Sequence, residues 1–167
     1  KPATSPGFDI AKRLSRVQHH NIAKVYGASK NQRVFIQVSE YCPSGALSDR
    51  LLAPYRLNEF ILIARQIVDA LIAGHNAGIV HGNLRPSNIL FDSNQAVKVC
   101  DFGLEEHYAG GAGGGQENWY TPGTEVRSEL TDIYAAGVIF YQMLTSHLPN
   151  WRFGKLVKGK SFQQHPK

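Results

Sequence analysis

The chain has 167 residues, 43% of them apolar, which is enough for one domain with its own core. Its longest apolar stretch, Tyr134–Tyr141, falls far short of the ~20 residues a membrane-crossing helix needs. No basic start followed by an apolar core marks a secretory leader. The net charge of +5 is uneven: from Trp151 onward come Arg152, Lys155, Lys158, Lys160 and Lys167, with no acidic residue. Residues 151–167 therefore read as a basic, solvated tail. A nucleic-acid partner is disfavoured, because neither an aromatic-rich RNA-binding signature nor helix-turn-helix spacing accompanies these charges. Cys42 and Cys100 lack metal or redox spacing, which points to a reducing, cytoplasmic setting. The seven histidines offer no H-x₃-H or C-x₂-C partner, so no transition-metal site is expected. Residue 1 is Lys rather than Met, so the chain is expected to be a piece of a longer protein.

Residues 1–7 are rich in Pro and Ser and are expected to be irregular. Phe8, Ile10, Ala11, Leu14 and Val17 fall at helical spacing and predict a helix over 8–18, with Ser5-Pro6 as its start signal. Ile22–Gly27 and Arg33–Ser39 read as strands joined by a hairpin at 30–32. After the break Pro43-Ser44-Gly45, residues 58–77 carry the strongest helix signal. Ile61, Ala64, Ile67, Val68, Leu71 and Ile72 are expected on one buried face, and Gly78 stands just past the end. Two short strands, Ile89–Phe91 and Val97–Cys100, follow around the turn Asp92-Ser93-Asn94-Gln95. Ala109–Gly115 reads as a linker. It cannot cradle phosphate as a P-loop, because no Gly-Lys-Ser/Thr follows. Asp132–Thr145 is apolar nearly all round, which predicts a buried central helix.

The chemistry-bearing stretch is His81-Gly82-Asn83-Leu84-Arg85-Pro86-Ser87-Asn88, followed by strand, turn, strand and then Asp101-Phe102-Gly103. Around it stand His19-His20-Asn21-Ile22, Glu40-Tyr41, Gly78-Ile79-Val80-His81, Tyr120-Thr121-Pro122 and Thr131-Asp132-Ile133-Tyr134-Ala135. Any one of these matches is weak, but the ordered set resembles a eukaryotic-like protein kinase of Ser/Thr type. The resemblance implies a partial α+β protein-kinase-like fold over 8–150. Residues 8–42 would be the small-lobe remnant and hinge, and 43–150 the large lobe up to its central helix.

The resemblance also implies roles. Asn88 and Asp101 match the two magnesium ligands, an amide and a carboxylate that give a hard cation the oxygen donors it prefers. Arg85 matches the lysine that faces the transferred phosphate of ATP. The Glu40 carbonyl and Cys42 amide match the hinge groups that meet an adenine edge. Ser39 matches the gatekeeper, and Leu90 the floor of the adenine pocket. Leu14, Val25, His81 and Phe102 match the family's packing spine, with Asp132 as its anchor. Leu47, Ile89, Leu90, Ile139 and Met143 match the lower half of a second spine.

The departures from the family pattern are equally specific. Asn83 occupies the place of the aspartate that accepts the substrate hydroxyl's proton, and an amide has no basic form near neutral pH. Gly82 replaces the arginine that receives a phosphorylated activation loop. Ile10 stands where the helix glutamate should pair with a strand lysine; Asp9 is adjacent but about 100° around the helix. Gly123 replaces a glutamate, with Glu125 nearby. The chain carries neither a glycine-rich loop nor a strand lysine before the first helix, and it stops before the family's last helices. Exposed apolar surface is therefore expected. The expected function is a catalytically impaired pseudokinase that acts by binding nucleotide, a protein partner or both. The alternative is an active Ser/Thr kinase that transfers the ATP γ-phosphate to a protein substrate, with the missing parts supplied by the remainder of a longer chain.

Overall fold

The computed structural model describes residues 6–31, 35–103, 120, 127–152 and 155–157. Three helices, α1 (Pro6–Leu14), α2 (Leu57–Asn76) and α3 (Glu129–Thr145), combine with three two-stranded antiparallel sheets among these residues. The first sheet pairs β1 (Val25–Lys30) with β2 (Phe35–Ser39), and the second pairs β3 (Ile89–Phe91) with β4 (Val97–Val99). The third pairs β5 (Asn150–Arg152) with β6 (Lys155–Val157), inside the stretch read as a tail; residues 158–167 lie outside the described set.

The β3–β4 hairpin forms for a local reason. Asp92 Oδ1 accepts hydrogen bonds from Asn94 N at 2.8 Å and Ala96 N at 2.9 Å, and Gln95 takes the left-handed conformation that closes the turn. Val97 and Val99 point to the core while Lys98 between them is half-buried, as strand alternation requires. β4 ends at Val99, one residue short of the expected strand.

Other boundaries moved. Pro6 and Gly7, expected to be irregular, form the first turn of α1, and the helix ends at Leu14 rather than continuing to 18. Ser15 N and Val17 N still bond back to Ala11 O and Leu14 O as the last turn unwinds. The first strand begins at Val25 rather than Ile22. Ile22 and Ala23 are recruited instead by Val99, Ile22 through a parallel bridge and Ala23 N through a bond to Val99 O.

α2 spans nearly the expected residues, and Ile67 and Leu71 are buried as expected, but the buried face is rotated away from Ile61, Val68 and Ile72. Its buried positions are Ile67, Ala70, Leu71 and Gly74, with Phe60 and Ile63 packed against the same core. Ile61 and Ile72, expected inside, are each 51% exposed, and Val68 is exposed as well. The helix carries apolar residues on both faces, so periodicity cannot choose between them. Small residues choose: at Gly74 a Cβ would stand 2.5 Å from the Phe102 ring, so only this face lets that ring reach the helix. Phe60 also meets Phe140 of α3 edge-to-face at 5.7 Å.

α3 starts at Glu129, where Thr131 Oγ1 accepts from Ser128 N at 3.2 Å. Burial is one-sided rather than all round. Asp132, Ala135, Ala136, Ile139 and Met143 are inside, while Leu130 is 74% and Ile133 59% exposed. Apolar surface is therefore open on α3, as the sequence led one to expect. The glycine-rich stretch 109–115 lies outside the described residues.

Candidate functional site

The loop 81–88 is built around Asp132, a buried carboxylate on α3. Its Oδ2 accepts from His81 N at 2.8 Å and meets His75 Nε2 at 2.7 Å; its Oδ1 accepts from Gly82 N at 2.8 Å. Three donors from two segments are thus fixed by one side chain. Burial pushes His81 down to about 4, against the opposing pull of Asp132, so the ring is neutral at physiological pH. The neutral ring packs on Phe102, tilted by 36°, with centroids 4.6 Å apart. Leu14, Val25 and Phe102 share one core cluster, and His81, also buried, packs on Phe102.

Downstream, the loop turns at Pro86–Asn88 and feeds β3. Asn88 Nδ2 donates to Asn83 O at 3.0 Å, which leaves Asn88 Oδ1 available to a cation. Cys100 N donates to Asn88 O at 2.9 Å and Gly103 N to His81 O at 2.8 Å, so the loop and the 101–103 segment are stitched together on both sides. Between these two bonds Asp101 adopts φ 62, a left-handed conformation that non-glycine residues rarely hold without a reason. Burial raises the Asp101 carboxyl, opposed by a hydrogen bond from Cys100. Burial also pushes the Cys100 thiol far up, so that sulfur is no thiolate at neutral pH.

Asn88 ends the turn into β3 and Asp101 follows β4; their side chains, an amide and a carboxylate, are donor types that magnesium accepts. That ion takes few protein ligands and fills its shell with water and phosphate oxygens. Among the described residues no group of three or more His, Cys, Asp or Glu could hold a metal. Asn83 makes no side-chain hydrogen bond among the described residues, and its amide is half-buried. Arg85, half-buried, exerts its charge on His81 and on Tyr120, whose hydroxyl donates to Gln142 Oε1 at 2.6 Å.

The segment that the resemblance assigns to a hinge follows β2. Glu40 is held by three contacts: its amide to Lys24 O at 2.7 Å, Lys24 N to its Oε2 at 3.1 Å, and Lys98 Nζ to its Oε1 at 2.9 Å. Among the described residues nothing engages the Glu40 carbonyl or the Cys42 amide. Leu90 bridges to Ala46 and is half-buried, while Leu47, Ile89, Ile139 and Met143 are inside. A separate cavity of about 560 Å³, lined by Arg50, Tyr55, Ile63, Phe91 and Gln95, holds none of these groups. Phe91 faces it, and Leu90, the neighbouring residue, points the other way.

Two features were not foreseen from the sequence. Lys98 pairs with Glu40 across 58 positions of chain, for which no local signal exists. Gly82, read simply as a lost arginine, receives the side chain of Arg127, whose Cδ lies 3.0 Å from where a Cβ on Gly82 would stand. The expectations for Gly123 and Glu125 lie outside the described residues. At the helix position, Ile10 packs on Gly103 and Asp9 is exposed, so no carboxylate from α1 reaches the site.

An α+β frame with a buried His–Asp anchored loop and an Asp-Phe-Gly whose Asp101 and Gly103 are left-handed is the core of a protein kinase. The chain belongs to the protein kinase family: the family described as protein kinase domain matches residues 9–165. It is 31% identical over 160 residues to maternal embryonic leucine zipper kinase of Xenopus laevis, covering 89% of this chain and 24% of that protein. It is 31% identical over 166 residues to a probable serine/threonine-protein kinase HAL5-like of Eremothecium gossypii, covering 86% and 24%. With serine/threonine-protein kinase PknL of Mycobacterium tuberculosis the identity is 30% over 151 residues, covering 83% and 38%. The chain thus spans about a quarter of the first two relatives' length. No described helix is long and apolar enough to cross a membrane.

Proposed function

We propose that this chain is a catalytically impaired kinase-like module, a pseudokinase in a cytoplasmic setting, that holds nucleotide and acts through a protein partner. The observation that carries the reading is Asn83. Phosphoryl transfer breaks the bond between the γ-phosphorus and its bridging oxygen and makes one to the substrate hydroxyl, whose proton must go to a base. The Asn83 amide cannot take it, and losing a positioned base costs ~10²–10⁴ in rate. In this reading the Glu40 carbonyl and Cys42 amide meet the adenine over Leu90, and Asn88 and Asp101 hold Mg²⁺. Arg85 faces the phosphates with a planar guanidinium in place of a compact ammonium. The metal, when bound, screens phosphate charge.

The second reading, an active Ser/Thr kinase, draws support from the left-handed Asp101, the free Asn88 Oδ1 and the packed His81–Phe102 pair. Its glycine loop and lysine would come from outside this chain. A thermal-shift series with Mg²⁺–ATP tests nucleotide binding: the midpoint should climb with ligand concentration. No shift at millimolar ATP defeats the first reading. Phosphate transfer then separates them. Under the first, transfer by the longer protein is at background and Asn83→Asp raises it, while Asp101→Asn abolishes it. Robust transfer by the longer protein, with Asn83 unaltered, favours the second.

A further inference from the structure

Helix α1 lacks the carboxylate through which the family fastens this helix, yet it is firmly docked. Ala11 and Leu14 are 0% and 2% exposed. Two side chains flank them. Ile10 Cδ1 and Cγ2 lie 2.8 and 2.9 Å from where a Cβ on Gly103 would stand, and Gly103 itself has φ +66, so both space and backbone require glycine there. One turn along, Arg13 Nη2 donates to Ala77 O at 3.0 Å and Gly78 O at 2.9 Å. Those carbonyls lie just past the C-terminus of α2, where the helix presents its negative end and favours a cation. Gly78, at φ +67, again leaves room: Arg13 Nη2 is 3.1 Å from its virtual Cβ.

Both contacts end on the segments that position Asp101. Ile10 presses on the residue two after it. Arg13 grips the chain just before His81, whose carbonyl accepts from Gly103 N at 2.8 Å. Phe102 closes the ring by filling the socket over Gly74.

We propose that Ile10 and Arg13 form a clamp that keeps α1 docked and Asp101 in its left-handed pose with no nucleotide, metal or lysine–glutamate pair. Both are positioning residues. A buried ion pair would make docking depend on its cation. An apolar side chain on a glycine and a guanidinium on two carbonyls depend on neither lysine nor ligand. The clamp rests on the proposed function only for its use, a surface that stays the same whether or not nucleotide is bound.

Amide hydrogen exchange read by mass spectrometry on this chain, without ligand, tests it. Residues 8–14 of the unaltered chain should be protected, and Mg²⁺–ATP should change their exchange by less than about twofold. Arg13→Ala should speed exchange there about tenfold and carry residues 101–103 with it, while the β3–β4 hairpin is unchanged. Arg13→Lys, a point charge in place of a fork, should fall between. Ile10→Glu, which sets an unpaired carboxylate against Gly103, should loosen the same two segments. Arg13 is exposed, so its variants keep the fold even where Ile10→Glu does not. The clamp is overturned if residues 8–14 are unprotected, or protected only once Mg²⁺–ATP is added. It is also overturned if Arg13→Ala leaves them unchanged or loosens α1 without 101–103. Failure of ATP to bind would sink the functional reading and leave the clamp standing.

Discussion

Replacing Asp132 by asparagine should cost the fold about 3 kcal/mol, and the figure follows from its partners. The carboxylate receives His81 N and Gly82 N, one on each oxygen, both at 2.8 Å, and His75 Nε2 at 2.7 Å. Asparagine is nearly the same shape but offers one acceptor oxygen and an NH₂. Whichever way it turns, the NH₂ faces one of the loop amides, donor against donor. A buried donor left unsatisfied costs ~1–3 kcal/mol, and the remaining bond loses its charge assistance, ~1 kcal/mol more. His75 is 14% exposed and can recover its bond from water. With a urea slope of about 2 kcal/mol per molar, the unfolding midpoint should fall by ~1–2 M at unchanged slope. Asp9→Asn, on the exposed side of α1, is the control and should leave the midpoint in place. A midpoint for Asp132→Asn within about 0.3 M of the unaltered chain would refute the view that this carboxylate holds the loop.

Three further outcomes follow from the same contacts. His81 is held near 4 in the folded chain by burial, against about 6.5 unfolded, so between those values the unfolded state binds the extra proton. Stability should therefore fall as pH drops from 6.5 towards 4, by up to about 3 kcal/mol, with no further slope from this group below that window. His81→Phe should flatten this part of a pH series of urea titrations. Gly74→Ala should destabilise by ~1–3 kcal/mol in the same assay, because its methyl would stand 2.5 Å from the Phe102 ring; an unchanged midpoint would show that the ring is free to shift. Finally, Leu52, Leu130, Ile133, Ile61 and Ile72 are all more than half exposed, so the chain should take up an apolar-surface dye or elute larger than a monomer. A tight monomer without dye uptake would contradict the open α3 face.

The loop 81–88, the β3–β4 hairpin and the span of α2 were legible in the sequence because each depends on residues close together in it. An Asp two and four residues before the amides it binds makes a turn wherever it occurs. A proline opening a short turn ahead of Asn88 sets that side chain's place, and the ordered motifs identify the frame. The substitution at Asn83 could likewise be read directly, since what an amide cannot do does not depend on its surroundings.

Other features required the tertiary structure. α2 is apolar on both faces, so its periodicity indicates a buried side without saying which; the choice fell to Gly74, whose missing side chain matters only because Phe102 arrives there. Glycines at 78, 82 and 103 looked like turn residues or losses, yet each receives a side chain from elsewhere in the chain, Arg13, Arg127 and Ile10 respectively. The Lys98–Glu40 pair is invisible for the same reason. Local chemistry is written in neighbouring residues, whereas what fills an empty space is decided only when distant segments pack together.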